Sequence, residues 1–79
     1  MDLDEIRRLL ESALEDSQIE IHAEGNKLAL DLVSEKFTGM NRVKRQQFVY
    51  TLLNDKISSG EIHAVTMKTR TPDEAATTG

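Results

Sequence analysis

The chain has 79 residues, of which 38% are hydrophobic and 30% charged, and its formal net charge is −4. This length and composition predict one small globular domain. The chain contains no cysteine, which excludes disulfides and any thiolate metal site made by the chain alone. No apolar run reaches membrane-spanning length and the acidic N-terminus lacks the basic start of a signal peptide, so we expect a soluble cytoplasmic protein without membrane contact.

The first predicted element is an amphipathic helix over residues 2–17, "DLDEIRRLLESALEDS". Asp2 or Asp4 can cap its start, because a short acidic side chain accepts hydrogen bonds from the free N–H groups of a first turn. Apolar side chains that recur at helical spacing define its buried face: Leu3, Ile6, Leu10, Ala13 and Leu14.

Residues 18–33, "QIEIHAEGNKLALDLV", predict a β-hairpin with one buried face. Apolar and polar residues alternate in both halves, and Gly25-Asn26 between them suits a tight turn. His22 falls on the outward side of the first strand. From this pattern it is interpreted as an ordinary surface residue, although a neutral imidazole is also a good metal ligand.

The connection "SEKFTGM" leads to a second predicted helix, which Asn41 caps and which runs to about Ile57. Gly39 is expected to take a backbone conformation that other residues resist. Phe48 is predicted to lie nearer the polar side, where it is a weak indication of an interface. Gly60 is the expected left-handed terminator. The apolar face is predicted to contain Val43, Val49, Tyr50, Leu53 and Ile57.

Arg42, Lys44 and Arg45 make the start of this helix basic within an acidic chain. Cations beside the free N–H groups of a helix N-terminus favour phosphate binding, and Phe48 offers a ring for stacking. Against this, "GMNR", 39–42, lacks the second glycine of the GXXG loop that clamps RNA in KH modules. Two interpretations stay open: a solvated or protein-binding surface, and a nucleic-acid contact.

The stretch "EIHAVTMKTRT", 61–71, predicts a third strand with both faces partly apolar. His63 lies at its start, and the pattern alone favours a surface or structural role, because one histidine does not make a metal site. "TPDE" then predicts a short helix with Thr71 as its cap and Glu74 closing a capping box. The order of elements favours two helices packed on one face of a three-stranded sheet.

No motif brings together the residues of a catalytic site. The chain lacks a cysteine nucleophile and a glycine-rich phosphate loop, and its serines lie outside any nucleophile-elbow pattern. The carboxylates at the end of the first helix are interpreted as a solvated face: Glu11, Glu15 and Asp16. We therefore predict a protein that is not an enzyme.

The stretches "FTGMNRVKRQQFVYTLL" and "GEIHAVTMKTRTPDE" together resemble the signature of BolA-like proteins, most closely its YrbA-type (IbaG-type) branch through "KRQQ". The resemblance implies an α+β fold of αββαβ order, similar to a type II KH domain. It implies a mixed three-stranded sheet with two helices on one face, and a possible short C-terminal helix. The matching residues span most of the chain: Phe37, Gly39, Arg42, Val43, Lys44, Arg45, Val49, Tyr50, Leu53, Ile62, His63, Ala64, Thr71 and Pro72.

The resemblance also implies a partner and a cofactor. BolA-like proteins pair with monothiol glutaredoxins and share a bridging two-iron two-sulfur cluster, to which glutaredoxin and glutathione supply sulfur and the BolA-like protein an imidazole. The family's ligand falls on His63. The implied protein is a non-enzymatic adaptor in iron–sulfur cluster trafficking or iron and redox sensing, a monomer or weak homodimer when alone. Its domain would cover residues 1–72, followed by a short flexible tail, 73–79.

The sequence departs from the family at the second ligand. Members often have Cys or His in the hairpin turn, where this chain has Lys27. Three arrangements stay open: His63 alone, His22 after a rearrangement, or glutaredoxin binding without a bridging cluster. Other members are regarded as DNA-binding regulators, so a DNA- or RNA-binding stress regulator is the alternative function. The partner or nucleic-acid surface would contain Gly39, Arg42, Lys44, Arg45 and Phe48.

Overall fold

The structure, a computed structural model, describes residues 1–77. The elements within this range are α1 (Leu3–Ala13), β1 (Gln18–Glu24), β2 (Lys27–Val33), a 3₁₀ turn (Glu35–Phe37), α2 (Arg42–Ser58), β3 (Ala64–Arg70) and α3 (Pro72–Thr77). The strand order is β1-β2-β3, with β1 antiparallel and β3 parallel to β2. The predicted α+β fold with a mixed three-stranded sheet is confirmed. No helix among residues 1–77 is long and apolar enough to cross a membrane.

The first helix is shorter than predicted. Asp2 caps it by accepting a hydrogen bond from the N–H of Glu5 (3.1 Å). It ends at Ala13 rather than at residue 17, because the chain leaves helical geometry at Leu14 and then takes a positive φ of 52° at Asp16. Leu14 still packs in the core with Ile6 and Leu10, whereas Leu3 is 37% exposed. The predicted apolar face is therefore confirmed except at Leu3, and the predicted end of the helix is wrong.

The hairpin forms as predicted around Gly25-Asn26. Gly25 takes a φ of 61°, as the first central residue of a type II′ turn requires. In β2 every second residue from Leu28 onward is buried, whereas Lys27 and Ala29 are exposed. The helices therefore cover one face of the sheet and leave the other in contact with solvent.

The inward face of α2 differs from the prediction. Val49 and Leu53 are fully buried, but Val43 and Tyr50 are 59% and 42% exposed. The prediction that these two belong to the apolar face is wrong, because the phase of the helix places them on the side away from the sheet. Phe48, predicted to lie nearer the polar side, is half-buried and packs against the core.

Two cations occupy the inward face of α2 instead. Arg45 lies one turn before Val49, and Lys56 lies one turn after Leu53. Each side chain is only 12% exposed, and each is neutralised by an ion pair with a carboxylate of another helix, Glu74 or Glu5 (2.7 Å each). A prediction from helical periodicity that assumes every cation faces solvent therefore assigns the wrong face of this helix to the core.

The core lies between the helices and the sheet and is mainly aliphatic. Phe37 is its one fully buried aromatic side chain among residues 1–77. The predicted C-terminal helix is present as α3, with its capping box formed by Thr71 and Glu74. The division into a domain, 1–72, and a flexible tail stays a prediction; residues 73–77 lie in α3, and 78–79 lie outside the described residues.

Candidate functional site

His63 lies at the end of the molecule that the hairpin turn forms. The residue is exposed, and its backbone N–H donates a hydrogen bond to the carbonyl of Asn26 (2.8 Å). The parallel pairing of β3 with β2 begins one residue later, at Ala64 opposite Lys27. His63 therefore has a fixed backbone and a side chain that a partner can reach.

The segment that leads from α2 to His63 is residues 59–62, here called the approach segment. Gly60 turns the chain with a φ of 84°, confirming the predicted terminator. Ile62 is 1% exposed and donates its N–H to the carbonyl of Lys56 (3.1 Å). The ammonium group of Lys56 also contacts the carboxylate of Glu61 (3.2 Å). The approach segment is thus held both by a buried side chain and by Lys56.

Lys56 connects three parts of the fold. Its Nζ contacts Glu5 on α1 (2.7 Å) and Glu61 in the approach segment (3.2 Å). The hydrogen bond with Glu5, followed by that with Glu61, raises the pKa of Lys56 against the opposing effect of burial. Neither Lys56 nor Glu61 is among the site residues that the sequence pattern predicts. The available signal was that Lys56 continues the face of Val49 and Leu53, where a cation needs a partner.

His22 is not brought close to His63. It is exposed on edge strand β1 opposite Ala29, and Ala29 in turn pairs with Thr66 on β3. His22 is therefore separated from His63 by two strand spacings across the sheet, about 10 Å. It is also displaced by three residues along the strand direction, again about 10 Å. Lys27 is nearer, because it pairs with Ala64, the neighbour of His63.

The described residues contain no group of three or more His, Cys, Asp or Glu side chains that could hold a metal ion. The hairpin end offers one accessible imidazole, and the chain has no thiolate. Such a site fits a cluster only when another molecule supplies the remaining ligands. Chemically, this end can contribute a single nitrogen ligand.

The basic start of α2 forms a second exposed surface. Gly39 takes a φ of 84°, as predicted, and Asn41 caps the helix by accepting a hydrogen bond from the N–H of Lys44 (2.9 Å). The residues Gly39, Arg42 and Lys44 are exposed. This surface lies at the opposite end of α2 from the approach segment, and the 17 residues of the helix separate the two ends by about 25 Å.

Arg45 and Phe48 are directed into the fold. Arg45 donates to the carbonyls of Met40 (2.9 Å) and Thr69 (3.2 Å) and forms a two-point contact with Glu74. This contact, with the Thr71 backbone N–H, lowers the pKa of Glu74 to about 2. The assignment of all five residues to a partner or nucleic-acid surface stays a prediction; the two cations that the structure exposes in this group are Arg42 and Lys44.

Comparison with known proteins identifies relatives along most of the chain. The sequence model described as BolA-like protein matches residues 5–74. The acid stress protein IbaG of Escherichia coli strain K12 is 40% identical over 76 residues, which are 96% of this chain and 90% of that protein. BolA1 from Arabidopsis thaliana superposes with a TM-score of 0.81 at 33% identity, covering 90% of this chain and 92% of that one. The BolA domain of SufE1 from the same plant gives 0.83 at 32%, with the same coverage.

Proposed function

Because the chain belongs to the BolA-like protein family, we propose that it is a non-enzymatic adaptor for a monothiol glutaredoxin with bound glutathione. It contributes His63 to a two-iron two-sulfur cluster shared with that partner. The observation that carries this proposal is the exposed imidazole of His63 on a backbone fixed by Asn26 (2.8 Å). Because this backbone is already ordered, binding of the imidazole costs little additional backbone entropy.

The lack of cysteine supports a shared cluster rather than one bound by this chain alone. Glutaredoxin and glutathione would supply the sulfur ligands, and this chain would supply nitrogen. An imidazole in place of a thiolate raises the reduction potential of an iron–sulfur cluster, as it does in Rieske centres. This chemistry suits a role in iron–sulfur cluster trafficking or in iron and redox sensing.

The geometry favours His63 as the only cluster ligand from this chain. His22 lies two strands away, and its recruitment would require the sheet to rearrange. Lys27 is close to His63, but an ammonium group has no lone pair for iron. The relative in Escherichia coli is named an acid stress protein, which supports a link between this chain and a stress response.

The proposal is tested by titrating cluster-loaded monothiol glutaredoxin with this protein and recording visible absorption and circular dichroism. The wild type is expected to produce a new spectrum that His63→Ala abolishes. His22→Ala is the matched control, because it removes the other exposed imidazole, and it is expected to leave the new spectrum intact. An unchanged glutaredoxin spectrum with the wild type would contradict the proposal.

Nucleic-acid binding is the second candidate function, and the exposure of Arg42 and Lys44 at the capped start of α2 favours it. Such binding would weaken with added salt, because cations at this surface displace counterions from phosphate. The double variant Arg42→Ala, Lys44→Ala is then expected to lower the slope of log affinity against log salt by about 2. Equal affinity of the wild type and the double variant for DNA and RNA would exclude this surface.

A further inference from the structure

The approach segment joins α2 to His63 and has no regular secondary structure. Its backbone is nevertheless held at several points. The carbonyl of Lys56 accepts hydrogen bonds from the N–H of Ile62 (3.1 Å) and from the hydroxyl of Ser59 (3.0 Å). At the far end, the N–H of His63 reaches Asn26 (2.8 Å). Between these points, the exposed residue Glu61 is held by its N–H, which donates to the hydroxyl of Ser59 (3.3 Å), and by its carboxylate, which contacts Lys56 (3.2 Å).

We propose that Lys56 is a positioning residue for His63: by holding Glu61 it orders the approach segment and fixes where the imidazole is presented to the partner. This inference rests on the proposed function of His63. The side chain of Lys56 is 12% exposed and that of Glu61 is 40% exposed, with 3.2 Å between Nζ and the carboxylate. The contact therefore joins the largely buried side chain of Lys56 to the partly exposed carboxylate of Glu61.

Lys56 also contacts a second carboxylate, that of Glu5, and this contact provides a control for the positioning role. Glu5 contacts the same Nζ at 2.7 Å but lies on α1, 58 positions before His63 in the chain. Removal of Glu5 loosens the tie between α1 and α2 and leaves the contact with Glu61 in place. Removal of the Glu61 carboxylate takes away the side-chain anchor of the approach segment and leaves the tie between the helices in place. The two variants therefore separate positioning of His63 from a general effect on stability.

The mechanism is the ordering of a short segment before binding. Without the contact between Lys56 and Glu61, the approach segment samples more conformations. Only a fraction of the molecules then hold His63 in the position that the partner binds. The apparent affinity of the partner then falls by that fraction. The loss would appear in complex formation more than in global stability, because one partly exposed ion pair contributes little to folding.

Hydrogen–deuterium exchange of the free protein tests the ordering directly. Glu61→Ala and Lys56→Met are expected to speed exchange at the amides of Ile62 and His63 several-fold. Glu5→Ala is expected to leave these amides unchanged, and Lys56→Arg, which keeps the charge, is expected to restore wild-type exchange. Equal exchange at His63 in Glu61→Ala and wild type, or an equal increase in Glu5→Ala, would overturn the inference.

The cluster titration provides the functional measurement. Glu61→Ala is expected to require several-fold more protein than Glu5→Ala for the same spectral change, with similar melting temperatures for the two variants. If both variants titrate like the wild type while His63→Ala abolishes the spectrum, the positioning role fails and the proposed function stands. If His63→Ala titrates like the wild type, the proposed function and this inference fail together.

Discussion

At the scale of single residues, hydrogen bonds between close neighbours in the chain fix the starts of α2 and α3. Asn41 caps α2 and Thr71 pairs with Glu74 in a capping box, as the sequence predicted. These contacts join residues three positions apart, so a short stretch of sequence contains both partners. Lys56 could not be predicted in the same way, because its partner Glu5 lies 51 positions away and only the packed fold brings the two together.

Gly39 provides a stability test at this scale. Its φ is 84°, and a Cβ added there would have no atom within 4 Å, so the cost of a side chain is conformational rather than steric. Gly39→Ala is expected to lower the free energy of unfolding by about 1–2 kcal/mol. Gly39→Asn is expected to cost less, because asparagine tolerates this conformation better. Urea denaturation would measure both, and equal stability of Gly39→Ala and wild type would contradict the prediction.

At the scale of elements, α2 shows why a correct helix can be assigned the wrong face. Its apolar residues are spread around the helix, so their periodicity does not clearly indicate which face is buried. Val49 and Leu53 are fully buried on the inward face, and Arg45 and Lys56 can share that face because acidic side chains of α3 and α1 neutralise them there. The ends of α2 were predictable from its capping residues, whereas its orientation depends on contacts far apart in sequence.

Leu53 and Val43 test the orientation of α2. Leu53 is fully buried, so Leu53→Ala is expected to destabilise the protein by about 2–5 kcal/mol through lost burial and a cavity. Val43 is 59% exposed, so Val43→Ala is expected to change stability by about 0.5 kcal/mol or less. Chemical denaturation would compare the two. A large loss with Val43→Ala would mean that α2 packs in the phase that the sequence pattern first indicated.

The attachment of α3 is expected to depend on pH. The hydrogen bond from Arg45, and then that from the Thr71 N–H, lowers the pKa of Glu74 from 4.5 to about 2. Because the folded-state pKa lies below the unfolded value, this stabilisation is complete above about pH 4.5 and is lost as the pH falls towards about 2. The melting temperatures of wild type and Glu74→Gln should therefore differ at neutral pH and converge in acid. Asp73→Asn in the same turn is the control, and a Glu74→Gln difference that stays constant with pH would contradict the assignment.

At the scale of the whole molecule, the two candidate surfaces lie at opposite ends of α2, about 25 Å apart. The family signature contains residues from both ends, so the sequence alone could not separate them. The structure places His63 beside the hairpin turn, and Arg42 and Lys44 at the far end of the helix. A partner that binds one surface need not cover the other, since a typical interface covers about 800 Å² on each side.

The separation predicts that the two surfaces act independently. The double variant Arg42→Ala, Lys44→Ala is expected to form the cluster complex with glutaredoxin with unchanged affinity at moderate salt, because neither side chain reaches the hairpin end. Isothermal titration with cluster-loaded glutaredoxin would measure this, with His63→Ala as the negative control. A large loss of affinity in the double variant would show that the partner extends along the whole of α2.

The central claim is that an imidazole nitrogen of His63 binds the shared cluster. The most direct measurement is pulsed electron paramagnetic resonance of the reduced heterocomplex in which this chain alone carries ¹⁵N. We expect a strong ¹⁵N coupling in the wild type and in His22→Ala, and its loss in His63→Ala. A complex without this coupling, or one that keeps it in His63→Ala, would contradict the assignment of His63 as the ligand.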